Sequence, residues 1–299
     1  MTTLDFIRDV HIYQHKNGYR FSVDALLLAE FITMPRVRRI ADFCAGSGVI
    51  GLLLARRYSA ASLTLVELQK SLAKLARNNV DLNEMADRVT VIHGDLKDLA
   101  TADGRRRGDA GRVDSAQSEA DHASQKGEKN ETLIVPAKLS ELFTSESYDL
   151  VVANPPFRSL RTGKMSIGDE KAIARHELAL PLKDLIASAA FLLRHHGRFC
   201  FIHLPERLAD IVTLLRAKGC EPKRLRFVHS FIESEAKMIL VEAVKNAKPG
   251  LVVEPPLCLY NEDGTHTDEI VGYYRVGEPE DNQRKSAGKK KPEIQQARG

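Results

Sequence analysis

The sequence predicts an α/β fold in which helices cover a doubly wound, mostly parallel sheet. Short apolar segments typical of strands alternate with segments whose apolar residues recur at helical spacing, and turn-forming residues follow several of the strands. The chain has 299 residues, 43% hydrophobic and 28% charged, so it is long enough to bury a large core. This composition excludes a chain that is disordered throughout, a collagen-like chain and a small disulfide-rich domain.

The individual elements follow from these patterns. Strands are predicted at 39–43, 63–67, 89–93, 148–153, 197–204, 224–229 and 238–244, and helices at 49–57, 70–82, 178–194 and 208–218. The link between the last two strands is short and predicts an antiparallel pair, whereas the helical crossovers predict parallel neighbours. Residues 1–38 hold one helix and a hairpin signal at Asn17-Gly18, and we expect them to form a cap segment ahead of the main domain at 39–280.

Two polar segments are expected to lie outside the core. Residues 101–131 contain Val113 and no other large apolar side chain, so they cannot bury enough surface to offset their ordering entropy. Residues 281–299 carry six lysines and arginines against two acidic residues. The sequence therefore predicts a disordered polar insertion and a flexible basic tail.

The remaining composition bears on location and partners. Four cysteines, Cys44, Cys200, Cys220 and Cys258, lie far apart without a CxxC pair, which indicates reduced thiols rather than a metal site. No apolar run approaches the roughly 18 residues that cross a bilayer, and the acidic N-terminus is unlike a signal peptide. We therefore expect a cytoplasmic protein with no metal and no membrane partner. The net charge of +4 permits a nucleic-acid partner without requiring one.

Polar and glycine residues follow four predicted strands. Asp42 with Gly46, then Glu67, Asp95 and Asn154 each come at the end of a different strand. In an open α/β sheet the loops after parallel strands face one crevice, where ligands bind. We expect these residues to converge there.

A cofactor site is predicted around the first of these loops. Residues 46–51 fit GxGxxG, and Glu67 lies 21 residues after Gly46, a spacing that by itself suits a dinucleotide such as NAD. Asp42 precedes the glycines, and a pyrophosphate prefers no carboxylate there. A cofactor with a sulfonium and an ammonium group tolerates one. Together with the motif at 154–157, Asp42 therefore favours S-adenosylmethionine.

The motif Asn154-Pro155-Pro156-Phe157 suits methylation of an amine on an aromatic ring. The lone pair of such an amine is delocalised and attacks poorly. The Asn154 side-chain oxygen and the Pro155 carbonyl can accept its two protons, and the fixed φ of proline holds that carbonyl in place. Phe157 can stack on a base. No strong general base is required, because the nitrogen proton becomes acidic after methylation.

In this order, the motifs resemble those of class I S-adenosylmethionine-dependent methyltransferases, which have a Rossmann-like fold with a seven-stranded sheet. More closely, the chain resembles the bacterial tRNA N6-adenine methyltransferases that modify position 37 of valine tRNA. Residues 13–28, 174–177 and 254–257 carry this closer resemblance. It runs from about residue 4 to 274, apart from 101–131.

The resemblance implies roles for individual residues. The catalytic motif is Asn154-Pro155-Pro156-Phe157. The implied cofactor-binding set is Tyr19, Arg20, Asp24, Asp42, Ala45, Gly46, Gly48, Glu67, Leu68, Asp95, Leu96 and Asn154. In this set Glu67 binds the ribose hydroxyls and Asp95 accepts from the adenine amine. The segment with Tyr19, Arg20 and Asp24 closes over the methionine end of the cofactor.

The expected substrate is an exocyclic amine of RNA, with N6 of adenine in tRNA favoured. Basic residues after the motif are candidates for phosphate binding: Arg158, Arg161, Lys164 and Arg175. Phe157 stands where adenine N6 enzymes commonly have Tyr, and the same motif occurs in guanine N2 enzymes of rRNA, so that target stays open. The sequence also leaves open a protein-glutamine methyltransferase and a non-enzymatic binding module, the second of which would not need Asn154.

Overall fold

The structure is a computed structural model that describes residues 2–15, 23–101, 133–156 and 180–275. Its strands are β1 Thr2–Ile7, β2 Val10–His15, β3 Arg39–Phe43, β4 Ser62–Glu67, β5 Val89–His93, β6 Tyr148–Ala153, β7 Leu193–His203, β8 Cys220–His229, β9 Ala236–Lys245, β10 Val252–Val253 and β11 Leu257–Cys258. Its helices are α1 Val23–Phe31, α2 Val49–Arg57, α3 Lys70–Leu82, α4 Leu139–Leu142, α5 Leu182–Leu192, α6 Leu208–Ala217 and α7 Asp268–Tyr274.

The main sheet has the strand order β10-β8-β9-β7-β6-β3-β4-β5, with β11 alongside β8. The run β7-β6-β3-β4-β5 is parallel, as predicted. Strand β9 is antiparallel to both of its neighbours, β7 and β8, which confirms the predicted antiparallel pair. The carboxyl ends of β5, β4, β3 and β6 therefore lie side by side at one edge of the sheet.

The core lies on both faces of this sheet. Ile40 and Val152 face one hydrophobic cluster, which also holds buried residues of α1, α2 and α3. Ala41 and Val151 face the other cluster, which α5 and α6 cover. Successive residues of a strand point to opposite faces, so strands between two helical layers are apolar throughout. This explains why β6 is buried along its whole length.

The N-terminal segment shares this core. Strands β1 and β2 form a separate antiparallel hairpin whose turn is Arg8-Asp9, with Arg8 at φ 54°. Buried Ile7, Val10 and Ile12 join the cluster of α1 to α3. The sequence did not predict this hairpin, because arginine is not a signal for a positive φ. The expected turn at Asn17-Gly18 lies outside the described residues.

The predicted helix at 178–194 was too long at both ends, since described residues 180 and 181 precede α5. Helix α5 ends at Leu192, and β7 begins at once with a register shift, pairing Leu193 with Tyr148 but Arg198 with Leu150. His195 and His196 therefore lie in this irregular start of β7, with His196 at φ 59°.

The predicted insertion at 101–131 and the tail at 281–299 lie outside the described residues, except for Thr101, the last described residue of a helical segment. No helix among the described residues is both long and apolar enough to span a membrane. All four cysteines are described, and each is free.

Candidate active site

The loop between β3 and α2 has the backbone that its glycines predict. Cys44, Gly46 and Gly48 have φ values of 57°, 58° and 86°. A Cβ on Gly48 would lie 3.1 Å from Leu65 Cδ2 and 3.4 Å from Ala76 Cβ. Glycine suits this position because it avoids both a strained φ and a close contact with Leu65 of β4. The loop therefore packs tightly. The first N–H groups of α2 have no carbonyl partner within the helix itself.

Asp42 ties this loop to the start of α2. Its Oδ2 accepts a hydrogen bond of 2.9 Å from the Gly51 amide. Burial raises the pKa of Asp42 to about 8, the Gly51 hydrogen bond acts against that shift, and the charge of Glu67 adds to it. Its Oδ1 is buried and has no hydrogen-bond partner among the described residues. Such an orphaned acidic oxygen fits a cationic ligand better than a pyrophosphate.

Glu67 holds the same loop from the end of β4. The Gly46 amide donates to its Oε2 at 2.9 Å and the Gln69 amide to its Oε1 at 2.8 Å. The residue is only 5% exposed. This geometry is compatible with the ribose role that the resemblance implies.

The end of β5 adds Asp95 and Leu96. Asp95 is half-buried, and its Oδ1 accepts from the Lys97 amide at 3.0 Å, which fixes the turn that follows. Leu96 is buried, and its carbonyl accepts from Ser188 Oγ at 2.8 Å. Beside them Leu68 is 42% exposed and presents an apolar surface at the end of β4.

Three acids at these strand ends act on one thiol, that of Cys44. Desolvation raises the pKa of the Cys44 thiol, and the negative charges of Glu67, Asp42 and Asp95 raise it further. These acids come from three different strands. Their joint effect on one thiol indicates that these three acids lie near one another at this edge of the sheet.

The proposed reaction residues begin on the neighbouring strand. Ala153, the last residue of β6, pairs with Phe43 of β3. Asn154 is half-buried, Pro155 is buried and Pro156 is exposed. The motif therefore starts directly beside the glycine loop.

Several predicted site residues lie outside the described residues: Tyr19, Arg20, Phe157, Arg158, Arg161, Lys164 and Arg175. Asp24 is described and is half-buried in the first turn of α1. Among the described residues, no cluster of His, Cys, Asp or Glu is suited to a metal ion.

The sequence did not single out Gly94 and Asn79, two residues that support the site. A Cβ on Gly94 would lie 2.6 Å from Leu139 Cδ2, so only glycine fits between β5 and α4. Asn79 of α3 is fully buried and donates to the Ser47 carbonyl of the glycine loop at 2.9 Å. An asparagine on the buried face of a helix was the available signal, since buried amides need partners.

Comparison with known proteins identifies the catalytic class. Residues 16–104 match the family model of the methyltransferase small domain. A Porphyromonas gingivalis protein named tRNA1(Val) (adenine(37)-N6)-methyltransferase is 26% identical over 227 residues, 75% of this chain and 73% of that protein. An Aliivibrio fischeri protein of the same name is 26% identical over 271 residues, 90% of this chain and 94% of that protein.

The fold comparison agrees. A predicted O-methyltransferase from Agrobacterium tumefaciens matches with a TM-score of 0.58 and 21% identity, covering 85% of this chain and 98% of that chain. That structural likeness supports the fold alone. The methyltransferase activity is supported by the match to the family model and by the named relatives. The chain therefore has the fold of class I methyltransferases, and it is a methyltransferase that uses S-adenosylmethionine as its methyl donor.

Proposed function

We propose that the enzyme methylates an exocyclic amine of a nucleobase in RNA, with N6 of adenine at position 37 of a tRNA as its target. The relatives named above carry that activity in their names, and they align with most of this chain. The four free cysteines are compatible with a cytoplasmic location, which we propose as well.

One observation carries the proposal: Asn154 and Pro155 lie beside the glycine loop. Ala153 and Phe43 are register partners on adjacent strands, which are about 4.8 Å apart. The residues after them, Asn154 and Cys44, start the reaction motif and the cofactor loop. A nucleobase amine held by Asn154 is therefore next to the methionine end that the glycine loop is proposed to hold.

The chemistry follows from the acceptors that this strand end supplies. Bound S-adenosylmethionine would supply an electrophilic methyl group. The Asn154 side-chain oxygen and the Pro155 carbonyl accept the two amine protons and draw the nitrogen lone pair out of the ring. Buried Pro155 holds its carbonyl in one orientation. Positioning and electrostatics then provide most of the rate enhancement.

Basic and aromatic residues after Pro156 complete the proposal from the sequence. We propose that Phe157 stacks on the target base, and that Arg158, Arg161, Lys164 and Arg175 bind neighbouring phosphates.

The test uses purified enzyme, tritiated S-adenosylmethionine and total RNA from a strain that lacks the gene. Labelled RNA is digested to nucleosides and separated. We expect label in N6-methyladenosine of the tRNA fraction, and none with the Asn154→Ala variant. Label only in protein would overturn the RNA proposal.

A second candidate is methylation of guanine N2 in rRNA, which Phe157 in place of the common Tyr favours. The same digest separates the two, because N2-methylguanosine in the rRNA fraction would replace the adenine assignment.

A further inference from the structure

The outward edge of β2 is bound by two asparagines of α3. The Asn79 side chain accepts from the Tyr13 amide at 2.7 Å and donates to the Tyr13 carbonyl at 3.1 Å. Asn83 does the same with His11, at 2.9 and 2.7 Å. Four helical residues rise about 6 Å and two strand residues about 6.7 Å, so the two amides match alternate residues of the strand. The two side chains thus bind the backbone N–H and C=O groups that a neighbouring strand would otherwise pair with at this edge.

Asn79 has one contact that Asn83 does not have. Its Nδ2 also donates to the Ser47 carbonyl at 2.9 Å, inside the glycine loop. Asn83 instead donates to the Asn79 carbonyl of its own helix. Asn79 is fully buried, and one turn earlier Ala76 packs against Gly48 of the same loop. The amide therefore links two segments, the N-terminal hairpin and the cofactor loop.

We propose that Asn79 is a positioning residue for S-adenosylmethionine, and that it couples docking of the N-terminal hairpin to the shape of the cofactor loop. Three residues of this loop have positive φ values, and such a backbone persists only where its surroundings hold it. Glu67 holds the loop through the Gly46 amide, and Asn79 holds it through the Ser47 carbonyl. The loop is thus preorganised from both sides, which reduces the ordering cost of ligand binding.

The matched test compares Asn79→Asp with Asn83→Asp. Each change keeps the shape and the acceptor that faces β2 and removes the donor, so both variants should lose similar thermal stability. Only Asn79→Asp places a carboxylate oxygen against the Ser47 carbonyl. We expect its Kd for S-adenosylmethionine, measured by calorimetry without RNA, to rise about tenfold, the order of one buried hydrogen bond. Asn83→Asp should stay within about twofold of wild type.

The kinetic signature separates positioning from a general structural role. Asn79→Asp should raise KM for S-adenosylmethionine and leave kcat at saturating cofactor nearly unchanged. Equal Kd values for the two variants would overturn the proposal, and so would a loss of kcat without a change in KM. Because cofactor binding needs no RNA, this outcome is independent of the proposed target base.

The wild-type protein provides a second test that does not depend on variant folding. Coupling between sites is reciprocal, so bound S-adenosylmethionine must strengthen hairpin docking by the factor by which docking strengthens its binding. We expect saturating cofactor to slow hydrogen exchange at the Tyr13 amide by about tenfold. Unchanged exchange at Tyr13 would contradict the proposal.

Discussion

Buried acidic groups are held in two different ways in this molecule. At the carboxyl edge of the sheet, backbone amides bind Asp42 and Glu67. In the antiparallel half, guanidinium groups bind buried Glu242: Arg198 at 2.9 Å and Arg224 at 3.2 Å. Arg224 also packs over the ring of Phe31, 4.0 Å from its centroid, and so fastens α1 to the sheet.

The difference separates ligand binding from stability. An acid paired with arginine is already compensated, and its removal exposes the fold to an unpaired buried charge. An acid held by amides in a site with other acids is only partly compensated, so a cationic ligand can improve its environment. We therefore expect changes at the carboxyl edge to affect the reaction and changes around Glu242 to affect folding.

The largest expected effect tests the reaction side of this comparison. Asn154→Ala removes one of the two proposed acceptors and should lower kcat by about 10²–10³, the order found when one donor or acceptor of a preorganised site is lost. Because Asn154 is half-buried at a strand end, the melting temperature should change little. Steady-state kinetics and calorimetry measure the two quantities. Full activity in the variant would place the reaction elsewhere.

Next in size is the loss of Glu242. Glu242→Ala removes the buried partner that Arg198 and Arg224 share. Because Arg224 keeps Glu254 at 3.3 Å and Arg198 is 33% exposed, the loss should cost about 2 kcal/mol of unfolding free energy. The control is Asp210→Ala, which removes an exposed pair with Arg207 and should cost no more than about 0.5 kcal/mol. Urea denaturation gives both values. A large change in cofactor Kd for Glu242→Ala would contradict the proposal that Glu242 affects folding stability and not ligand binding.

A smaller effect is expected from Gly48→Ala, with Gly264→Ala as its control. Both glycines have a positive φ, 86° and 82°, so each alanine should cost about 1 kcal/mol of stability. A Cβ at Gly264 has nothing within 4 Å, whereas one at Gly48 meets Leu65 and Ala76. Only Gly48→Ala should raise the Kd for S-adenosylmethionine, by about tenfold. Similar Kd values in both variants would show that the close packing is irrelevant to binding.

The smallest effect is the pH dependence of cofactor binding through Asp42. Its pKa is about 8 in the folded protein, so the carboxyl is mostly protonated at pH 6.5. A cationic ligand favours the ionised form and lowers that pKa, so binding releases a proton and strengthens as pH rises toward 8. A shift of one unit gives about a fourfold increase in affinity between pH 6.5 and 8. Calorimetry in buffers of different ionisation enthalpy measures the number of protons released when the cofactor binds.

Asp42→Asn is the control for this prediction. It removes the titrating carboxyl of the protein, so any pH dependence that remains comes from the ionisable groups of the ligand itself.

The Asp42 carboxyl also affects folding stability. In the unfolded chain this carboxyl ionises near its ordinary pKa of 3.8, and in the folded chain near 8, so stability falls between these pH values and levels off above 8. The asparagine variant should lack that loss. An identical pH profile in both proteins would exclude Asp42 as the source.

Much of the site could be predicted from the sequence because its residues follow strands with strong local patterns. The bounds of β3, β5, β6, α2 and α3 agree with prediction, since each has a clear apolar period and a turn signal at its end. The helix end at Leu192 was missed, because the register shift that starts β7 depends on pairing with β6. Local propensity carries no information about such a contact.

The sequence by itself determined most of the strands and helices from β3 to β9, the glycine loop, the acids at the strand ends and the motif at Asn154. These are local features, and their chemistry is visible in adjacent residues. Only the tertiary structure decided that β9 lies between β7 and β8, and that Asn79 joins Tyr13 to Ser47. Both depend on contacts between residues far apart in the chain, which are selected by packing and by the need of buried amides for partners.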